Sequence, residues 1–330
     1  MALALSEPER SRRIRRWIRR GESRLLKRHA FLKHSDAIGG GLALLSASGM
    51  VGLGGLYATG HVSAWVCFLG NAFLASILHE IEHDSIHYLY FKTRPWLLDA
   101  LLLLCWAFRG NVIHGWYRRA IHFHHHRASG TSTDVEERLL GLGQPWGLRR
   151  LLGTVDGAMA FLLHARTLER EVPGFRRREL ALASLPFYPL FAFVLVSFLV
   201  YHALALVPGY EPSAWLASVL PGVNVLAVAW VFPNYLRQAA LQVVSSNVHY
   251  YEDVRSIGEE TQVLRPLFLW PLQLFCFNFG TTHSFHHYVV EQPFYLRQLL
   301  SPWVLPALRK YGVRFNDVGT FFRANRFREA

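Results

Sequence analysis

Apolar residues run in blocks along this chain, and polar residues collect between the blocks. A helix needs ~20 mostly apolar residues to cross a bilayer. Residues 38–59 form the first such block, rich in Gly and Ala, which suits close helix packing. Residues 62–78 form the second, parted from the first only by Gly60 and His61. Residues 180–207 and 214–233 make a second pair, joined by residues 208–213, which carry no Lys or Arg. Two further blocks suit a span less well. Residues 96–108 are too short to cross alone, and residues 263–279 are broken by Arg265, Pro266 and Pro271. Both are read as helices lying along the bilayer surface.

The pattern predicts an all-α integral membrane protein with about four transmembrane helices, plus interfacial helices and a histidine-rich cap. Basic loops stay on the cytoplasmic side, and this orients the chain. Residues 1–35 hold Arg10, Arg12, Arg13, Arg15, Arg16, Arg19, Arg20, Arg24, Lys27 and Arg28. Nearly all the remaining Lys and Arg fall in residues 79–179 and 234–330. One domain is expected. A cytoplasmic segment (1–35) leads into a hairpin (38–78), a cytoplasmic stretch (79–179), a second hairpin (180–233) and a cytoplasmic end (234–330).

Composition agrees. The 330 residues are 52% hydrophobic and 18% charged, against about 25% charged in a typical soluble domain. The net charge of +12 would suggest nucleic acid in a soluble protein. Beside apolar spans it fits basic loops and an amphipathic N-terminal helix lying on anionic headgroups. The lipid bilayer is therefore the expected partner, and nucleic acid is not. Cys67, Cys105 and Cys276 each sit in an apolar run, without C-x-x-C spacing, and read as inert buried thiols.

Histidine changes the picture. Most of the seventeen are clustered. The first cluster is His79-Glu-Ile-Glu-His83-Asp-Ser-Ile-His87, where residues four apart share a helix face. His79 and His83 are read as the gripping pair, with His87 either a further ligand or a support. The second cluster is His122-Phe-His124-His125-His126, in which His122, His125 and His126 converge while His124 points away. The third, His283-Ser-Phe-His286-His287, repeats the H-x-x-H-H spacing. His29, His34, His61, His164 and His202 are isolated and read as surface or satisfied core. Clusters beside apolar spans point to metal, because unpaired polar groups there are costly.

The pattern His79-Glu80-x-x-His83 also matches the zincin motif, with Glu80 as general base. An intramembrane zinc protease is thus one alternative, and a metal-binding membrane protein without catalysis is another. A catalytic zinc needs only three protein ligands, and the clustered histidines suffice for two ions. Imidazole suits iron, zinc and copper alike.

The ordered set H-x-x-x-H, H-x-x-H-H, H-x-x-H-H resembles the membrane fatty acid desaturase and hydroxylase superfamily, related to alkane monooxygenases. The resemblance runs from the first span to about Tyr295. It implies two iron ions held almost wholly by histidine, with O2 as co-substrate. His249, in Ser245-Ser-Asn-Val-His249, matches a further lone ligand of the family. The implied metal set is His79, His83, His122, His125, His126, His249, His283, His286 and His287. Asp134 and Glu136 resemble the acids that orient ligating imidazoles. Glu80, Glu82 and Asp84 could act likewise or be solvated helix charges. Coenzyme-A-type desaturases carry an Asn four residues before the lone histidine. Ser245 stands there in this chain, and Asn247, at a different spacing, is the residue that could substitute as a support for the metal site. The implied reaction is O2-dependent oxidation of an unactivated C–H bond in a fatty acyl chain, most simply desaturation. Hydroxylation and oxidative decarboxylation to a terminal alkene remain as alternatives. No H-P-G-G or G-x-G-x-x-G pattern is present, so electrons are expected from a separate ferredoxin, rubredoxin or cytochrome-type donor.

Overall fold

The computed structural model describes residues 5–328. The principal helices are α1 (Glu7–Arg28), α2 (Ser35–Ala58), α3 (Ala64–Ile86), α4 (Pro95–Arg109), α5 (Gly115–Ala128) and α6 (Val135–Leu139). After several short helices come α7 (Phe187–Leu204), α8 (Ala214–Val248), α9 (Phe279–Tyr288) and α10 (Phe294–Lys310). Among the described residues there is no named strand, only three isolated bridges. Four helices are long and apolar enough to cross a membrane: α2, α3, α7 and α8. Leu190, Phe193, Val196 and Val200 on α7 lie exposed, as do Leu44, Leu45 and Val51 on α2. A belt of this kind would be a liability in water and is ordinary against lipid.

The expected spans are corrected in three places. The second does not stop at residue 78. Helix α3 opens on Ser63, whose Oγ accepts from the Val66 N–H at 3.3 Å, and continues to Ile86. The third does not start at residue 180. A short helix, Arg177–Leu182, ends before a turn at Pro186, and α7 begins after it. Proline lacks the N–H and biases the preceding residue away from helix, which accounts for the break. The fourth runs past residue 233 as one continuous helix to Val248. Residues 95–109 form α4, and residues 263–279 hold only a short 3-10 turn and the helix Trp270–Phe275. Neither meets the length and apolarity of a span.

Small residues let α2 and α3 pack tightly. Gly39, Ala43, Ser46, Ala47, Met50 and Gly54 form the buried stripe of α2, and small side chains allow close backbone approach in lipid. Proline shapes α8. Pro233 has no N–H to give to the carbonyl of Ala229, one turn back, and a π-helical turn occupies Ala227–Val231. The freed carbonyl accepts from Asn71 Nδ2 of α3 at 2.7 Å. The same nitrogen lies 3.2 Å from the carbonyl of Met50 on α2. One fully buried amide thus joins three spans. Further along α8, Trp230 Nε1 and Asn234 Nδ2 donate to the Phe108 carbonyl at 3.1 and 2.8 Å. They satisfy the last turn of α4, whose carbonyls lack helical partners.

At the other end, α1 packs on α10 through buried Ile14 and Ile18, and Trp17 stacks on Trp303 with centroids 4.9 Å apart.

Replacing Asn71 with Leu should lower stability in detergent by about 0.6–1.7 kcal/mol, the range for interhelical polar contacts in membranes. Thermal unfolding followed by circular dichroism measures this, and an unchanged midpoint would deny the clamp its role.

Candidate metal centre

Nine clustered histidines meet where α3, α5, α8 and α9 converge. His83 comes from the last turn of α3 and His87 is the residue that caps it, and His122, His125 and His126 come from α5. His249 caps α8, and His283, His286 and His287 come from α9. Two groups form, each with one ring nitrogen per residue and all such atoms within 4.8 Å of one another. The first group is His83, His87, His122 and His286; the second is His125, His249, His283 and His287. His126 stands beside the first, its Nε2 3.1 Å from that of His122 and 3.0 Å from that of His286.

His79 belongs to neither group, contrary to expectation. Its Nδ1 accepts from Arg109 Nη1 at 3.0 Å, with Arg118 Nη1 at 3.5 Å. His87 takes the place beside His83. All three histidines share one face at four-residue spacing, so the sequence admits either pair. Buried Arg109, with Arg118 beside it, occupies the His79 ring nitrogen and leaves His83 and His87 facing the cluster. The zincin geometry is absent as well, since Glu80 Oε2 is held by Arg297 Nη2 at 3.1 Å.

The carboxylates sort by task. Asp134 accepts from His125 Nδ1 at 2.8 Å and Glu136 from His122 Nδ1 at 2.7 Å. Two more acids do the same without having been singled out in the sequence. Glu260 accepts from His287 Nδ1 at 2.8 Å, and Glu137 lies 3.4 Å from His249 Nδ1. The Ser245 carbonyl accepts from His249 Nδ1 at 3.0 Å, and its hydroxyl donates to Glu137. Asn247 is turned elsewhere, bonding Trp146 and the Val243 carbonyl. Glu80 and Asp84 pair with Arg297, and Glu82 with Arg109 and Arg118. These three are buried structural charges, not solvated ones.

The isolated histidines stay apart. His124 Nε2 donates to the Thr133 carbonyl at 2.9 Å, away from its neighbours. His61 meets Thr59, His202 meets Asn224, and buried His164 meets Gln144. His29 sits edge-on to Phe31, and His34 caps α2.

The arrangement fits metal ions on its own terms. His249 and His287 each commit the Nδ1 proton to an acceptor, so each presents a bare lone pair at Nε2. Those two Nε2 atoms lie only 3.3 Å apart. His283 Nε2 lies 3.0 Å from His249 Nε2 and 3.1 Å from His287 Nε2. Lone pairs so close repel unless a cation lies between them. A metal–nitrogen distance of about 2.1 Å implies nitrogen–nitrogen edges of about 3.0–3.4 Å, octahedral to tetrahedral. Both ring nitrogens of His83 and Nε2 of His125 are buried without partners. Protons cannot fill the role throughout: burial, then neighbouring histidines, holds His122 and His283 well below the usual imidazole range. His125 is the exception. Burial opposes its charge, but Asp134 outweighs burial and raises it to about 10.

Beside the histidines lies a cavity of about 340 Å³. His79, His83, His122, His125, His249 and His283 line one part. Val112, Ile113, Ile121, Leu139, Leu140, Phe161, Leu180 and Leu241 line much of the rest.

The sequence model of the family described as Fatty acid desaturase matches residues 59–319. The match covers most of the chain, which therefore belongs to the fatty acid desaturase family. No curated protein and no solved structure matches. Family and spans together make it an integral-membrane oxidoreductase.

With Asp134 raising His125 to about 10, a metal bound at its Nε2 would have to displace a proton. Adding Co2+ to metal-stripped protein at pH 8 should release about one proton from this residue, and affinity at this position should fall as pH falls. A lightly buffered titration reads the release, and none would contradict the assignment.

Proposed function

On the strength of that membership, we propose that the chain oxidises an unactivated C–H bond of a fatty acyl chain at two irons with O2, most simply by desaturation. The observation that carries this reading is the cavity, whose aliphatic walls run directly onto the histidine clusters. An acyl chain has no polar handle along its length, so the walls must hold it by shape and by exclusion of water.

The proposed ligands are His83, His87, His122, His126 and His286 for one iron, and His125, His249, His283 and His287 for the other. When bound, the irons supply the redox chemistry that activates O2, which no side chain can provide. The chain's own part is placement. Ile113 precedes α5 and Ile121 lies within it, and Leu139 and Phe161 join them from later segments. These side chains decide which carbon stands nearest the clusters. Removing a second hydrogen, returning oxygen to carbon and losing the carboxylate differ by small changes in that placement. Hydroxylation and decarboxylation at the same site are therefore the alternatives to desaturation. Asp134, Glu136, Glu137 and Glu260 fix ring orientation and raise ligand basicity. Electrons come from a separate ferredoxin, rubredoxin or cytochrome-type protein. The cap and both termini face the cytoplasm, where basic segments are retained.

His87→Ala and His122→Gln should each lower bound iron and abolish product. His79→Ala and His124→Gln should keep most of the iron. Iron analysis, with mass spectrometry of cells fed labelled fatty acids of graded length, reads both outcomes. Equal iron loss for His79 and His87 would overturn the ligand set, and unaltered fatty acids in every feeding would overturn the reaction.

Orientation is checked separately. Labels near residues 15, 140 and 320 should report the cytoplasm, and labels in residues 208–213 the opposite side. A label near residue 140 on the outer side would refute the arrangement.

A further inference from the structure

The two histidine groups differ in what stands behind them. In the second group, three of four ligands have an acceptor at Nδ1. Asp134 lies 2.8 Å from His125, Glu260 lies 2.8 Å from His287, and His249 faces the Ser245 carbonyl at 3.0 Å with Glu137 at 3.4 Å. His283 instead stacks on Phe279, with centroids 4.1 Å apart. In the first group only His122 has such an acceptor, Glu136 at 2.7 Å. His83 Nδ1 has no hydrogen-bond partner, the nearest acid being Asp84 at 3.8 Å. Behind His286 stands a cation: Arg297 Nη1 lies 3.3 Å from Nδ1. The guanidinium cannot swing away. Arg297 is buried and held by Glu80 at 3.1 Å, Asp84 at 3.2 Å and the Gln292 carbonyl at 2.8 Å.

An acceptor behind a ligating imidazole makes it a better donor and fixes its ring. Carboxylates add attraction for a dication, and a guanidinium opposes it. From this asymmetry we infer that the two metal positions are unequal: His125, His249, His283 and His287 take up a divalent metal first and hold it more tightly than His83, His87, His122 and His286 with His126 beside them. The inference rests on the metal-binding reading above and adds an order of filling. A chain given too little metal holds one ion at the second group and leaves the first group empty. Arg297 is thereby assigned a positioning role at the weaker site.

The test is a titration of the full chain in detergent, stripped with chelator and loaded with Co2+ alone. Ligand-field absorption and bound metal are followed together. Wild-type protein should bind two ions in two phases, the first at least ~10-fold tighter. Glu260→Gln should weaken the first phase by about 10–100-fold, the usual cost of losing a partner behind a ligand, and leave the second nearly unchanged. Glu136→Gln should do the reverse. Two equal phases in the wild type, or Glu260→Gln weakening only the looser phase, would overturn the inference. Fewer than two ions bound by the wild type would instead overturn the metal-binding reading. The wild-type titration stands even if a variant fails to fold.

Discussion

Everything at the C-terminal ends of α3 and α8 depends on imidazole lone pairs that face one another across about 3 Å. A neutral imidazole has one donor and one acceptor nitrogen. Once a carboxylate takes the donor, the acceptor points at other acceptors. His249 and His287 are in this position together, and His283 Nε2 lies about 3 Å from both. Such a cluster is stable only around positive charge. Metal ions meet the need because ligation consumes several lone pairs at once, whereas a proton satisfies one.

The same constraint explains the unusual density of buried charge. Glu80, Glu82, Asp84, Asp134 and Glu137 are buried, as are Arg109 and Arg297. Isolated, each would cost several kcal/mol to bury. In company they divide into two layers. Asp134, Glu136, Glu137 and Glu260 lie against the clustered imidazoles and would balance the cations proposed there. Glu80, Glu82 and Asp84 are matched by arginines and hold α3 to α4, α5 and α10. The second layer supports the first without touching a metal position, except through Arg297 behind His286.

Much of this was legible in the sequence, for reasons of period and length. Four apolar blocks announced four spans, and H-x-x-H-H at helical spacing announced two of the stretches that supply the histidine groups. The turn of His124 away from its neighbours followed from the same geometry. What could not be read has specific causes. Residues 79, 83 and 87 repeat at four-residue spacing, so periodicity could not choose between pairs. Glu260 reaches His287 because the chain folds back after His249, with Tyr250 N donating to the Glu260 carbonyl at 3.0 Å. No local signal marks that return. Arg297 lies in a mixed segment where nothing but the fold reveals its partners. Glu137 was within reach, since it follows Asp134 by three residues and so shares its side of α6.

The clamp formed by Asn71 acquires a further meaning beside that repeat. A helix with histidine every four residues is nearly self-similar under sliding: displaced by one turn, about 5.4 Å, α3 would bring His79 to the level of His83, and His83 to that of His87. Such a frameshift in space would leave imidazole in every ligand place and go unpunished by local chemistry. Asn71 forbids it from within the bilayer, because its amide reaches the Ala229 carbonyl only at one height. Arg109 and Glu82 forbid it again at the helix's other end. The vertical setting of α3 is thus read out far from the metals, and the redundancy of the histidine run is resolved by residues that never meet them.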